Sequence, residues 1–381
     1  MIKFIAIEGF KSLEKVAIKL GNLNIFIGAN GSGKSNFLEA IRILQGIGYG
    51  FAIDEIFNGK PKSANCDIWE PIRGGSRKAN FVRRNNENIS TAEKVISLSV
   101  SLKLKGEELR YCLQISAEFC LVVWEKFEVE NAVIFEGKPT SDRSIPLLHQ
   151  FLQNPNCSDT NADYIKQFIN FFSNLQYFDP HPAILRDYSR AKTAKRMGDR
   201  GENFAALVKT IIADESEKAA FISWLKEFTN RRLDDICILD GALGESLFAI
   251  KEAEINYPAP ILADGFLRFA AITAAFFQPQ PPAIAIVENI ESGLHPRSLR
   301  VLVEMLKNLS ENIPIQVIVT TQSPLLLDWL ALEDYRTSFA CKLEEETGAT
   351  KIVPFQEVPK LVKIVEKYPV GELFAEGWFE G

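Results

Sequence analysis

The sequence predicts an α/β fold: a mixed-sheet core around a phosphate-binding loop, with an antiparallel β subdomain and a helical insertion. Three observations predict it. Gly28-Ala29-Asn30-Gly31-Ser32-Gly33-Lys34-Ser35 is a complete G-x-x-x-x-G-K-S loop. Its flanks fit. The apolar run Leu23-Asn24-Ile25-Phe26-Ile27 precedes it as a buried strand would, and Asn36 opens a stretch to Leu44 that puts Phe37, Ala40, Ile41 and Leu44 on one helical face. Far downstream, Pro282-Ala283-Ile284-Ala285-Ile286-Val287 is a second apolar strand, and it ends on the carboxylate Glu288.

The elements follow in order. Residues 2–8 and 16–19 read as two strands joined through Gly9-Phe10-Lys11-Ser12, ahead of the loop strand and its helix. Residues 46–94, rich in Gly, Asn and charge, read as irregular chain beside the loop. Residues 95–104 alternate apolar and polar side chains as a half-buried antiparallel strand does. Lys105-Gly106-Glu107-Glu108 connects this strand to 109–118, and 121–129 follows. From about 144 to 230 the spacing is helical, at 164–175, 204–212 and 215–228, with Asp179-Pro180-His181-Pro182 as a breaker. These patterns set three expected regions: 1–145, a helical lobe at 146–245, and a return to the core at 246–381.

Composition excludes several classes. Hydrophobic residues make up 46% of the 381 and charged residues 24%, as in a soluble globular protein. The formal net charge of −6 gives no global case for nucleic-acid binding, so such a surface must be local. Six scattered cysteines (Cys66, Cys112, Cys120, Cys157, Cys237 and Cys341) form no C-x-x-C pair. That suits reduced thiols in a cytoplasmic protein. The start lacks a signal-peptide layout, and no apolar run approaches the roughly 20 residues that cross a bilayer.

The loop chemistry is specific. A strand turning into a helix aims free N–H groups at an anion, and the glycines keep side chains out of its way. Lys34 is expected at the β/γ-phosphates of ATP, and the Ser35 hydroxyl on Mg²⁺. Glu288, at the C-terminal end of its strand, is the expected second metal-side oxygen.

Three further segments carry a resemblance. Glu288-Asn289-Ile290-Glu291-Ser292-Gly293-Leu294-His295-Pro296 resembles the "DEPE-x-x-LHP" segment of the RecF/SMC/OLD group of ABC-type ATPases. Leu262-Ala263-Asp264-Gly265-Phe266-Leu267-Arg268 resembles their "LSDG-T-x-R" signature, and Thr320-Thr321-Gln322-Ser323-Pro324 resembles their "TTHSP" switch. The segments stand in the family's order, and the resemblance is looser over the helical middle. It implies an ABC-ATPase head in which Asp264 and Gly265 face ATP held by a second copy of the chain. ATP would then join a homodimer, and hydrolysis would loosen it. It also implies work on DNA or control of an effector in repair or phage defence.

The chain departs from the pattern at three places. Asn289 stands where the family has a catalytic Glu, and an amide cannot accept a proton. Gln322 replaces the switch His but can still donate a hydrogen bond. Ala263 replaces the signature Ser. ATP binding with slow hydrolysis is therefore expected, and an ATP-binding scaffold with negligible turnover is the alternative. Glu291 reads equally as a substitute base or as a structural residue. A membrane-transporter ATPase subunit is disfavoured by the missing serine-glycine-glycine-glutamine string and by the "LHP" turn.

Two basic clusters, Arg73/Arg77/Lys78/Arg83/Arg84 and Arg186/Arg190/Lys192/Lys195/Arg196/Arg200, could track a phosphate backbone, but a solvated face explains such runs as well. Related heads place a basic residue near Lys11's position, close to the nucleotide. No Ser-His-Asp set or H-N-H-like cluster is visible. The stretch after Pro324 is too short for the metal-binding domain of OLD-type nucleases, so nuclease activity would need a separate chain.

Overall fold

In a computed structural model the described residues are 1–61, 69–84, 95–155, 157–229, 232–359, 361–365 and 367–377. Cys66 and part of the irregular 46–94 stretch lie outside them. The chain forms two compact units, Met1–Leu175 with Glu333–Leu361, and Gln176–Leu332 with Val362–Trp378.

The first unit opens with β1 (Ile2–Phe10), β2 (Leu13–Lys19) and β3 (Leu23–Ile27). The helix Lys34–Gly48 follows the loop and is longer than its sequence pattern. Next come β4 (Val95–Leu104), β5 (Glu107–Ser116), β6 (Leu121–Val129) and β7 (Ala132–Gly137). They form an antiparallel sheet in the order β2-β1-β4-β5-β6-β7. Alternation decides its faces: in β4, Ile96, Leu98, Val100 and Leu102 are buried while their neighbours are half-exposed. The β4–β5 turn is only Lys105-Gly106, both at positive φ, so Glu107 and Glu108 belong to β5. A two-residue turn of this kind matches the strands' twist. The helix Asp159–Ser173 is capped by Ser158, whose side chain accepts from the Asn161 N–H. It packs on the loop helix, Gly48 lying against the backbone of Phe172 and Ser173.

The chain then runs through β8 (Leu175–Phe178), whose first residue, Leu175, the helical spacing at 164–175 assigns to the preceding helix. Two amphipathic helices of the second unit, Phe204–Ile211 and Glu215–Phe228, stand where their periodicity placed them. Asp214 caps the second, accepting from the Ser216 and Glu217 N–H groups. A three-stranded antiparallel sheet follows, with β9 (Asp235–Asp240), β10 (Ser246–Glu252) and β11 (Ile255–Pro258) in the order β11-β10-β9. The apolar helix Asp264–Phe276 buries every residue after Asp264 and Gly265, as a helix within a core must. Finally β12 (Ile284–Val287) pairs in parallel with β13 (Gln316–Thr321), and every residue of both strands is buried. The chain returns to the first unit with β14 (Ser338–Leu343), parallel to β3, and β15 (Thr350–Pro354), antiparallel to β14.

Candidate nucleotide site

In the first unit β3 is wholly buried and delivers the loop to the start of the helix at Lys34. Gly33 caps the helix at φ 99°, and a Cβ there would meet Thr350 Oγ1 at 2.0 Å, so both backbone and space require glycine. Lys34 is buried and donates from Nζ to the carbonyls of Gly28 (2.6 Å) and Ala29 (3.0 Å). Ala29, Asn30 and Gly31 are exposed, and Ser35 and Asn36 are half-exposed. Ser32 Oγ is buried without a hydrogen-bond partner among the described residues. An orphaned hydroxyl beside a buried cation and a helix N-terminus is a donor set suited to phosphate.

Residues remote in sequence brace this loop. Asn36 Nδ2 donates to Ser12 Oγ (2.7 Å), Ser12 Oγ bonds Thr350 Oγ1 (2.7 Å), and Thr350 Oγ1 donates to the Ser32 carbonyl (3.1 Å). Lys11, in a left-handed turn, pairs with Glu39 of the loop helix, which also accepts from Arg73 Nε at 2.8 Å. Burial lowers the Lys11 pKa and the Glu39 carboxylate opposes that. Burial pushes the Cys341 thiol, behind the loop, up to about 12, so it is inert at neutral pH.

The second unit gathers the other motifs. The end of β12 presents Glu288, then Asn289 at φ 45°. The Asn289 N–H donates to Thr320 Oγ1 (3.0 Å), and Asn289 Oδ1 accepts from Gln322 Nε2 (3.1 Å). Gln322 also donates its backbone N–H to Glu291 Oε1 (2.8 Å), whose Oε2 is buried without a partner among the described residues. Three of the four polar residues named from sequence, Asn289, Glu291 and Gln322, thus form one cluster at the ends of two parallel strands. The signature helix begins at Asp264, as its motif implies, with Ala263 as a cap that offers no side-chain bond. Asp264 pairs with Arg186, which also donates to the Leu262 carbonyl at 2.8 Å. Gly265 has no room for a side chain: a Cβ would lie 2.4 Å from the Gly293 carbonyl. Ala263, Gly265, Phe266, Gly293, His295 and Ser298 contribute to the wall of a groove of about 260 Å³.

Ser12, Glu39 and Thr350 carried no local signal, because they act through contacts between distant segments. Among the described residues no group of three or more His, Cys, Asp or Glu forms a metal cage. In the first unit the half-exposed Ser35 hydroxyl at the loop suits Mg²⁺, which keeps several waters and takes other oxygens from phosphate.

Comparison with known proteins agrees with this architecture. Residues 154–328 match a family model described as "AAA domain, putative AbiEii toxin, Type IV TA system". A protein of Helicobacter pylori (strain ATCC 700392 / 26695) called "ATP/GTP phosphatase" is 23% identical over 348 residues, covering 87% of each chain. Two solved structures share the fold. The SMC head bound to the C-winged helix domain of ScpA has a TM-score of 0.55 at 14% identity, covering 92% of this chain and 96% of that one. The Pyrococcus furiosus Smc head with an extended coiled coil, bound to the C-terminal domain of ScpA, has 0.52 at 11%, covering 96% and 99%. No helix among the described residues is long and apolar enough to cross a membrane. With residues 1–218, more than half of its length, matching the model described as "AAA ATPase domain", the chain belongs to that ATPase family and carries an SMC-head-like P-loop fold.

Proposed function

We propose that this chain binds Mg-ATP at Gly28–Ser35, dimerises across the nucleotide, and hydrolyses it slowly. The observation that carries the reading is the buried pair of Lys34 and the orphaned Ser32 hydroxyl at a helix N-terminus. In this reading Gly28 to Asn36 wrap the phosphates, Ser35 and Glu288 are the metal-side residues, and bound Mg²⁺ supplies charge neutralisation on the phosphates. Asp264 and Gly265 face the nucleotide of a second copy.

Slow turnover follows from Asn289. Its side chain is neutral, already accepts from Gln322, and cannot take a proton from water. Glu291 now reads as structural, since one of its oxygens holds the Gln322 N–H. The chain then behaves as an ATP-gated clamp in the cytoplasm, acting on DNA or gating a separate effector chain in repair or phage defence. The match to a model described by a toxin–antitoxin system supports the defence branch. The test is steady-state phosphate release with Mg²⁺ and ATP. A slow but measurable rate that disappears in Lys34→Ala supports the reading, and a rate untouched by Lys34→Ala overturns it.

A further inference from the structure

Arg268 lies one turn into the signature helix and is 5% exposed. Its Nη1 donates to Asp179 Oδ1 (3.0 Å) and the Pro180 carbonyl (2.8 Å). Its Nη2 donates to the Glu288 carbonyl (3.1 Å) and, at longer range, the Asn289 carbonyl (3.4 Å). Its Nε is buried without a partner among the described residues.

Ion pairing does not explain why this charge is buried. Among the described residues the carboxylate it pairs with, Asp179, is 72% exposed along its side chain, and a solvent-screened partner returns little of the several kcal/mol that burying a guanidinium costs. What Arg268 does accomplish is geometric. The carbonyls of Glu288 and Asn289 belong to the two peptide planes flanking the Asn289 Cα. Gripping both fixes φ and ψ at a residue whose φ is 45°, a conformation uncommon outside glycine. That backbone in turn sets where the Asn289 amide meets Gln322.

We propose that Arg268 is the positioning residue that ties the start of the signature helix to the turn carrying Asn289, so that engagement of Asp264 and Gly265 is transmitted to Asn289. The inference rests on the ATPase reading above. One helical turn separates Asp264 from Arg268, so a shift of the helix start moves the guanidinium and, with it, both carbonyls.

The experiment measures ATP affinity by calorimetry, kcat and KM by phosphate release, and thermal stability, for wild type, Arg268→Lys, Arg268→Met and Asp179→Asn. The guanidinium anchors Nη1 on Asp179 and the Pro180 carbonyl and thereby aims Nη2 at both turn carbonyls; a lysine ammonium has one donor nitrogen and cannot occupy both positions at once. Arg268→Lys should lose at least about tenfold in kcat, as misplacement of a site group does, with Kd and KM for ATP held within about twofold. Asp179→Asn leaves both carbonyl bonds in place and should cost less than about threefold in kcat. Arg268→Met should match or exceed the Lys loss; if it fails to fold, Arg268→Lys carries the test alone. Arg268→Lys with unchanged kcat, or with kcat and ATP affinity falling together, overturns the proposal, because a merely structural pin predicts parallel losses. A wild-type chain that neither binds nor hydrolyses ATP overturns the ATPase reading itself, and this inference with it.

Discussion

Replacing Asn289 by glutamate is the most informative single change. In the resting site the Asn289 amide oxygen accepts from Gln322 Nε2 at 3.1 Å. A carboxylate can also accept from Gln322, one methylene further out, and its second oxygen is left to take a proton from water. A positioned general base is worth roughly 10²–10⁴ in rate. Two features push the expected gain to the lower end. Gln322 occupies one oxygen, and glutamate at φ 45° is less at ease than asparagine, a strain of about 1 kcal/mol that loosens its aim. Asn289→Glu should therefore raise turnover by at least about tenfold, equivalent to about 1.4 kcal/mol of barrier, and shorten the life of the ATP-bound dimer. Glu291→Gln keeps an oxygen for the Gln322 N–H and should leave residual turnover nearly unchanged; its loss would make Glu291 the base. The assay is steady-state phosphate release at saturating ATP with Mg²⁺. A fast wild type that slows on Asn289→Glu would refute the assignment of this position.

Two further outcomes are expected. ATP should convert monomers to dimers in light scattering. Because any side chain at Gly265 collides with its own Gly293 carbonyl, the interface is better probed by Ala263→Arg at the exposed helix start, which should stay monomeric with ATP; an ATP-dependent dimer of that variant would exclude this face. In the antiparallel sheet, burial raises the Glu125 pKa from 4.5 to about 7, against hydrogen bonds from the Leu148 and Leu147 N–H groups and the Tyr111 hydroxyl. The folded state therefore holds this proton more tightly than the unfolded one. Its stabilising effect is complete below about pH 4.5 and is lost as pH rises toward 7. Urea unfolding of wild type should show that decline and Glu125→Gln should flatten it; identical pH profiles would show that Glu125 is not its source.

What was legible in the sequence was what depends on local pattern. The apolar run at 23–27 is β3 residue for residue, alternation gave β4, and the helix at 215–228 appears with its limits intact. Local pattern failed where a tertiary partner decides. Leu175 continues the apolar face of its helix, yet the chain turns extended there to make β8. Glu107 and Glu108 look like turn residues, but the Lys105-Gly106 pair completes the turn, and Glu107 and Glu108 already pair with Leu104 and Lys103 of β4. At the candidate site the loop, Glu288, Asn289, Glu291 and Gln322 were readable as motif positions. The Ser12–Thr350 bond spans 338 positions, and Arg268 acts on backbone carbonyls, which every residue possesses; neither leaves a trace in the order of side chains.

The claim on which the rest depends is that the loop at Gly28–Ser35 holds ATP. Calorimetric titration of Mg-ATP into wild type and Lys34→Ala tests it most directly. Lys34 Nζ bonds to the Gly28 and Ala29 carbonyls of its own loop, and equal melting temperatures of the two proteins would show that the variant keeps its fold. The account predicts saturable binding by wild type and an affinity weakened by at least about tenfold in Lys34→Ala, as loss of a charge-assisted phosphate contact of about 1.5–3 kcal/mol requires. Equal affinity in the two proteins would contradict it.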